Sequence, residues 1–471
     1  MMIYQHLYAQ FKKKDRITAG MIGSGHFGTA VITQSMYNEY LKVPIVADQN
    51  IENARKAYNQ AGVSDEMIVV CDGAAAAKKA IEKGKYVIVQ DAMILMELPL
   101  DVIGEATGIP EAGARHALAA INSGKHVAMI NKETDSAIGP ILQHLAARAG
   151  LVYTPVDGDQ HGLLIGMFYW AKTLGLEVIS GGKARDAEFI LDRKKKTVTC
   201  EADGITVHET RTVQLKDNEL ELFDELPDGK TAEYVNRRKS ILRYLPMAGG
   251  FDLCELTIMA NATGLAPDIP ATHEPVIRIA EIPQVLCQIS HGGILDKPRT
   301  IDVVTVFRDK FEAGLGGGVF LVVASGNPYS QMILTTKGCI SNHDGSTALV
   351  YKPYHLCGVE TATSLLCAGM VGLSTGSAEY RPLYDLARRA ARNLKAGEKL
   401  GNDHDQALTS EIITAHGIKA GAPAPAHLLS GNTLLADVPA GTVITYDMVK
   451  RPKDSVLWQL REEQDKLFLA K

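Results

Sequence analysis

Residues Ile17 to Gly28 read ITAGMIGSGHFG, an apolar strand running straight into Gly23, Ser24, Gly25, His26, Phe27 and Gly28. Strand, G-x-G-x-x-G turn and helix, in that order, build a cradle for a phosphate. The first glycine allows the tight turn, the second leaves room for a pyrophosphate, and the third lets the helix pack closely on the sheet. The helix N-terminus adds unpaired N–H groups and a partial positive charge. Asp48 ends the next apolar strand about twenty residues further on, where a carboxylate holds the hydroxyls of an adenosine ribose. The pattern predicts a site for a nicotinamide dinucleotide, NAD or NADP. Asp48 favours NAD, because it repels a 2′-phosphate and no arginine follows before Arg55.

Hydride transfer also needs a group that moves a proton on the substrate oxygen. Lys132 ends a strand on the edge where a nicotinamide should lie. It can hydrogen-bond a developing alkoxide or, with a lowered pKa, relay the proton; a surface lysine capping the strand is the plainer alternative. Asp157 and Asp159 flank a glycine at the mouth of the same crevice. They can orient substrate hydroxyls, hold a divalent cation through oxygen ligands, act as general base, or simply bind N–H groups in a turn. Gln160 and His161 follow them as substrate contacts.

Lys183 and Arg185 come after Ser180-Gly181-Gly182, a spacing that reads as a strand end and flexible turn. Such a pair is a cationic clamp for a phosphate or sugar acid, or else a salt-bridged turn with Asp186. Arg237, Arg238, Lys239 and Arg243 make a second basic cluster, with Lys239 and Arg243 on one helical face; a solvated helix explains it equally. In Tyr351-Lys352-Pro353-Tyr354-His355, His355 is the best-placed histidine for acid–base work, and Lys352 is a candidate substrate contact.

The elements that must position these groups divide into three. Residues 1–156 alternate strand and helix: a helix over Thr29–Leu41, strands at Val43–Ala47, Met67–Val70, Tyr86–Val89, Leu100–Ala106, His126–Ile130 and Leu151–Pro155, and a helix over Glu111–Ser123 stopped by Gly124. That alternation predicts an α/β fold with a doubly wound parallel sheet. Residues 157–380 carry longer β-rich runs at Leu176–Ser180, Thr197–Glu201, Thr206–Leu215, Ile301–Arg308 and Gly318–Ala324, which predict a mixed α/β catalytic and dimerisation domain. Residues 381–471 read as a small β-rich module, with a helix over Ala387–Leu394, a loop over Lys419–Pro425, and a turn and strand over Asp437–Ile444.

Length and composition narrow the class. The chain has 471 residues, 46% hydrophobic and 22% charged, with a net charge of −5, so nothing overall points to nucleic acid. The short run Arg193 to Lys196 reads as a solvated strand end. Seven scattered cysteines without a C-x-x-C pair favour reduced thiols in a cytoplasm. No stretch approaches the roughly twenty apolar residues that span a bilayer. A soluble protein with a small-molecule substrate is expected.

Residues Asp101 to Lys132, DVIGEATGIPEAGARHALAAINSGKHVAMINK, resemble the cofactor domain of homoserine dehydrogenases. The resemblance lies in the E-A-T-G turn, the Ala-rich helix, the Gly-Lys-His-Val step and the closing Asn-Lys pair. It implies that Thr107, Gly108 and Asn131 contact the cofactor and that Lys132 lies beside cofactor and substrate. The middle third departs from that family. Asp157 to Gly162, Gly182 to Asp186 and Tyr351 to His355 look like a homoserine-dehydrogenase-like group that carries a C-terminal SAF module. Asn393 to Glu398 and Val438 to Thr442 resemble SAF repeats. One branch of the group is the 1-deoxy-D-xylulose 5-phosphate reductoisomerase-like enzymes. The resemblance implies an NAD(P)-dependent oxidoreductase, a reductoisomerase in that branch, acting on a keto-sugar phosphate, sugar acid or similar compound as a homodimer or higher homo-oligomer. Authentic homoserine dehydrogenase, an oxidoisomerase of a branched sugar acid, and a non-catalytic nucleotide or sugar sensor stay open.

Overall fold

The computed structural model describes residues 3–11, 14–204, 207–247 and 250–469. Two compact units make up the chain. The first comprises Met1–Gly162, Leu356–Thr409 and Thr414–Lys471; the second comprises Leu163–His355 and Ser410–Ile413. The stretch after His355 thus rejoins the first unit, whereas the sequence suggested one domain running from 157 to 380. No helix among the described residues is long and apolar enough to cross a membrane.

Seven strands form the sheet of the first unit: β1 Ile17–Ile22, β2 Leu41–Ala47, β3 Ile68–Val70, β4 Tyr86–Val89, β5 Val102–Glu105, β6 His126–Met129 and β7 Tyr153–Pro155. Their order is β3-β4-β2-β1-β5-β6-β7, and every pairing is parallel. Such a sheet is covered on both faces, so its strands are largely apolar: Val43, Ile45, Val46 and Ala47 in β2 are all buried. The strand order reverses at β1, whose neighbours are β2 and β5, and a ligand crevice opens beyond the strand ends at that switch point. The helix after the glycine turn runs only over His26–Ser35, because Leu41 already pairs with Ile17 in β2.

The helix Pro110–Asn122 buries Ala114, Ala117, Ala120 and Ile121. The next helix, Lys132–Arg148, begins directly after β6 and contains Pro140. Proline cannot continue the i→i−4 ladder, and it leaves carbonyls and amides around it short of partners. Here the buried carboxamide of Gln464 bridges the gap: its Nε2 donates to the Ala137 carbonyl and its Oε1 accepts from the Ile141 amide, both at 3.1 Å. Gln464 belongs to the C-terminal helix Val456–Phe468. On the same helix, fully buried Arg461 grips Asp385 through two bonds of 2.6 and 2.7 Å and Asp465 at 2.8 Å.

A ten-stranded mixed sheet builds the second unit. Its strands are β8 Glu177–Ala184, β9 Phe189–Asp192, β10 Thr197–Cys200, β11 Arg211–Gln214, β12 Ala266–Pro267, β13 Val276–Ile277, β14 Thr300–Asp309, β15 Val319–Ala324, β16 Ile340–Ser341 and β17 Ala348–Lys352. The order is β11-β10-β9-β14-β8-β15-β17-β16, with β12 and β13 also on β14. Thr206, the expected start of one strand, lies outside the described residues. Two corrections concern glycine and alanine. Gly181 and Gly182 do not make a turn but lie inside β8. A Cβ on Gly182 would sit 1.8 Å from the Asp302 carbonyl, so glycine here marks close backbone approach. The helix expected over Ala387–Leu394 is absent: β18 Tyr384–Ala390 occupies that stretch and pairs with β19 Leu408–Thr414 in a small antiparallel sheet.

Candidate functional site

Gly23 adopts φ +92°, a left-handed conformation that other residues resist, and a Cβ there would meet the Ala106 carbonyl at 2.7 Å. A Cβ on Gly28 would lie 2.2 Å from the Gly23 carbonyl, while nothing stands within 4 Å of one on Gly25. Turn, close packing and open space therefore fall on the three glycines as the motif requires. The Asp48 carboxylate accepts from the Ser24 amide at 2.9 Å and the Ser24 hydroxyl at 2.5 Å, which ties the end of β2 to the glycine turn. His26 is exposed at the helix start, and Phe27 packs against the core. A cavity of about 330 Å³ lies against Gly23, Ser24, Gly25, Asp48, Thr107 and His116. Among the described residues, no lysine or arginine lines it.

Gly28→Ala is expected to abolish dinucleotide binding, because the new methyl must push the turn out of shape; overpacking of this kind costs about 1–3 kcal/mol in stability. Calorimetric titration with NAD(H) and a thermal melt read both effects.

The ends of β5 and β6 hold a network in which sequence reasoning found only part. Glu105, fully buried, accepts from Thr107 Oγ1 at 2.6 Å and lies 3.1 Å from His116 Nδ1. Asn131 donates to Thr107 Oγ1 and to the Ile109 carbonyl, and its Oδ1 caps the helix by accepting from the Thr134 amide at 3.0 Å. Gly108 turns the chain here with φ +65°. Lys132 is the first residue of that helix. One turn on, the Ser136 hydroxyl lies 2.7 Å from His427 Nδ1. His427 Nε2 lies 3.2 Å from both Asp403 oxygens, and Arg388 also pairs with Asp403. Burial works to raise the Asp403 pKa, yet His427, Arg388 and Lys132 outweigh it and hold the carboxyl well below its usual range. Glu133 is raised by burial, against the opposing pull of His427 and Lys132. Asp403 and His427 lie far from Lys132 in sequence and belong to no local motif, so no pattern pointed to them.

Asp157, Gly158, Asp159, Gln160 and His161 follow β7. Asp157 is part-buried, and its backbone is fixed by Ser364 and Thr361 at 2.8 Å each. Asp159 accepts from the Gln160 amide at 2.8 Å and stands 3.7 Å from His161 Nδ1. Gln160 and His161 are buried, and neither ring nitrogen of His161 has a hydrogen-bond partner. Asp135, also buried, accepts from Tyr153 at 2.7 Å and Tyr380 at 3.1 Å; burial raises its pKa despite the nearby His161 and those hydroxyls. Among the described residues, Asp157 and Asp159 do not gather with a third ligand-type side chain, so the cation site expected there lacks a donor set.

The second unit holds a separate buried charge cluster. Lys183, fully buried, pairs with Asp252 Oδ1 at 2.8 Å and with Glu255. Arg185 spreads over Asp252 at 3.0 Å, Thr305 at 3.0 Å and Glu274 at 3.0 Å. These two cations are thus neutralised by three carboxylates and do not form the open clamp that the sequence suggested; their strand runs through the sheet interior. His355 Nδ1 lies 2.7 Å from the Gly317 carbonyl and 3.9 Å from Asp186, whose pKa burial raises against the pull of Lys183 and His355. Lys352 stands over the Tyr354 ring at 5.0 Å. Arg237 is exposed and pairs with Glu233 at 3.5 Å. Its helix, Thr231–Ile241, ends before Arg243, so Lys239 and Arg243 share no helical face.

No curated protein matches this chain. Among solved structures it is similar to biliverdin reductase in complex with biliverdin and NADP+ from Synechocystis sp. PCC 6803, at 20% identity over 38% of this chain and 48% of that one, TM-score 0.25. It is also similar to 1-deoxy-D-xylulose 5-phosphate reductoisomerase from Zymomonas mobilis in complex with NADPH, at 22% identity over 36% and 46%, TM-score 0.27. A third is apo scyllo-inositol dehydrogenase from Lactobacillus casei, at 15% identity over 36% and 46%, TM-score 0.27. The chain spans about half the length of the solved structures it matches. Residues 247–361 match the family described as oxidoreductase DRL, catalytic domain. Over that segment, which carries Asp252, Glu255, Glu274 and His355, the chain is similar to an oxidoreductase catalytic domain.

Proposed function

We propose that this chain is an NAD(P)-dependent oxidoreductase, with NAD preferred, acting on a small polar hydroxy or keto compound such as a sugar acid or keto-sugar derivative. The glycine turn carries the reading: Gly23 at φ +92°, Gly28 packed on the Gly23 carbonyl, and open space at Gly25 beside an Asp48-walled cavity. When bound, the dinucleotide supplies the hydride acceptor or donor. The Gly23–Gly28 turn and the helix N-terminus behind it hold its phosphates. Asp48 accepts from the ribose hydroxyls, and a cavity lining with no lysine or arginine among the described residues disfavours a 2′-phosphate. Thr107 and Asn131, fixed by Glu105 and the helix cap, shape the floor toward the reacting end. Lys132 holds or moves the proton at the substrate oxygen.

A skeletal rearrangement before reduction needs a carbonyl polariser. Lys183 lies between Asp252 and Glu255, where it supplies the positive charge that a divalent cation would otherwise bring. The reading therefore keeps to hydride transfer, and the charge cluster of the second unit serves to order the oxidoreductase-like segment.

Calorimetry with NAD(H) and NADP(H), followed by nicotinamide absorbance with keto acids and keto-sugar phosphates, tests this. Tight binding without turnover of any compound class would favour a sensor; no binding of either dinucleotide would end the proposal. Asp48→Asn should weaken NAD(H) about tenfold, in line with loss of roughly 1.5 kcal/mol for a hydrogen bond to a charged group, and should narrow the gap to NADP(H).

A further inference from the structure

We propose that the C-terminal part of the first unit completes the reacting end of this site, with Asp403 and His427 as positioning residues that hold the Lys132 ammonium. The inference rests on the reading of Lys132 given above. Lys132 and Ser136 are four residues apart on one helix and so share a face. On that face the Ser136 hydroxyl meets His427 Nδ1 at 2.7 Å, and His427 Nε2 spans both oxygens of Asp403 at 3.2 Å. A ring that accepts from Ser136 and donates to Asp403 is fixed in one tautomer and one orientation. Ser136, His427 and Arg388 are each 5% exposed or less. The chain of bonds also opens onto space. His427 lines a cavity of about 430 Å³ together with Ile109, and Ile109 also lines the dinucleotide cavity. The depressed Asp403 pKa, to which Lys132 contributes, agrees with a carboxylate kept ionised opposite that amine.

Arg388 alone would neutralise Asp403. A histidine with both nitrogens engaged adds direction to the carboxylate, and a lysine that moves a proton needs its Nζ held in one place.

The test labels the full chain with trinitrobenzenesulfonate and follows the Lys132 peptide by mass spectrometry against the other lysines. Removing the facing carboxylate in Asp403→Asn lowers the lysine pKa by about one unit, so Lys132 should react about tenfold faster relative to the other lysines. His427→Gln should raise the ratio by about threefold, through a loosened Asp403. A general loosening of the fold would speed all lysines together and leave the ratio unmoved. Should Asp403→Asn fail to fold for loss of its pair with Arg388, His427→Gln decides alone. Ratios unchanged in the folded variants overturn the proposal. NADH added to the wild type should protect Lys132; lack of protection sinks the dinucleotide reading, while the variant ratios still judge the pairing.

Discussion

Lys183→Met will destabilise the second unit by about 3–5 kcal/mol, the cost of breaking a buried ion pair by removing one partner. Lys183 is fully buried, and Asp252 and Glu255, both 2% exposed or less, lose its ammonium together. Arg185 still covers the other Asp252 oxygen, so Glu255 bears more of the loss. For a unit of this size the loss lowers Tm by about 10 °C, and a melt or urea titration of the intact chain measures it. Adding Glu255→Gln to the same chain should restore part of the stability, since the stranded charge goes with it. Lys395→Met, which breaks an exposed pair with Asp437, serves as the control and should leave Tm unchanged. A Lys183→Met chain that melts with the wild type would mean that the cluster contributes nothing to the fold.

Lys132→Met should cut kcat/KM by about 10²–10⁴, the range for loss of a positioned proton donor. The affinity for NAD(H) should stay within a few-fold, because the proposed grip on the phosphates and ribose is at the far end, at Gly23–Gly28 and Asp48. Lys132→Arg keeps the charge but neither the reach nor the readily shifted pKa, and so should recover only part of the rate. Equal loss of rate and of dinucleotide affinity would place Lys132 in cofactor binding instead, and an undiminished rate would remove it from the chemistry.

How far the sequence reached depended on whether the information was local. The glycine turn, Asp48 and the βα alternation of the first unit depend on residues close in sequence, and strand and turn positions match to within a few residues. Long-range pairing was illegible. Tyr384–Ala390 is rich in alanine and arginine and reads as helix by propensity, yet tertiary partners override it. Arg388 is drawn to Asp403, and Ala387 and Arg389 bridge to Pro425 and Val443. Gly181 and Gly182 have the composition of a turn, and only the neighbouring β14 backbone explains why they lie in a strand. The expected clamp failed for a related reason: the carboxylates that neutralise Lys183 and Arg185 come from residues 67 or more positions away. His161 is the sharpest case. Its sequence setting suggested a substrate contact but not its surroundings: it is buried, and neither ring nitrogen has a hydrogen-bond partner among the described residues.

The Gln464 carboxamide mends the helix that Lys132 starts at the point where Pro140 interrupts it. The helix Val456–Phe468 therefore splints an element made more than three hundred positions earlier. Until it arrives, the nascent parallel-sheet half holds a fractured rod, and the Lys132 amine proposed for chemistry has no firm anchor. Shuffling that helix onto another parallel-sheet body would transplant a splint without its fracture, so the two helices must be inherited as a pair.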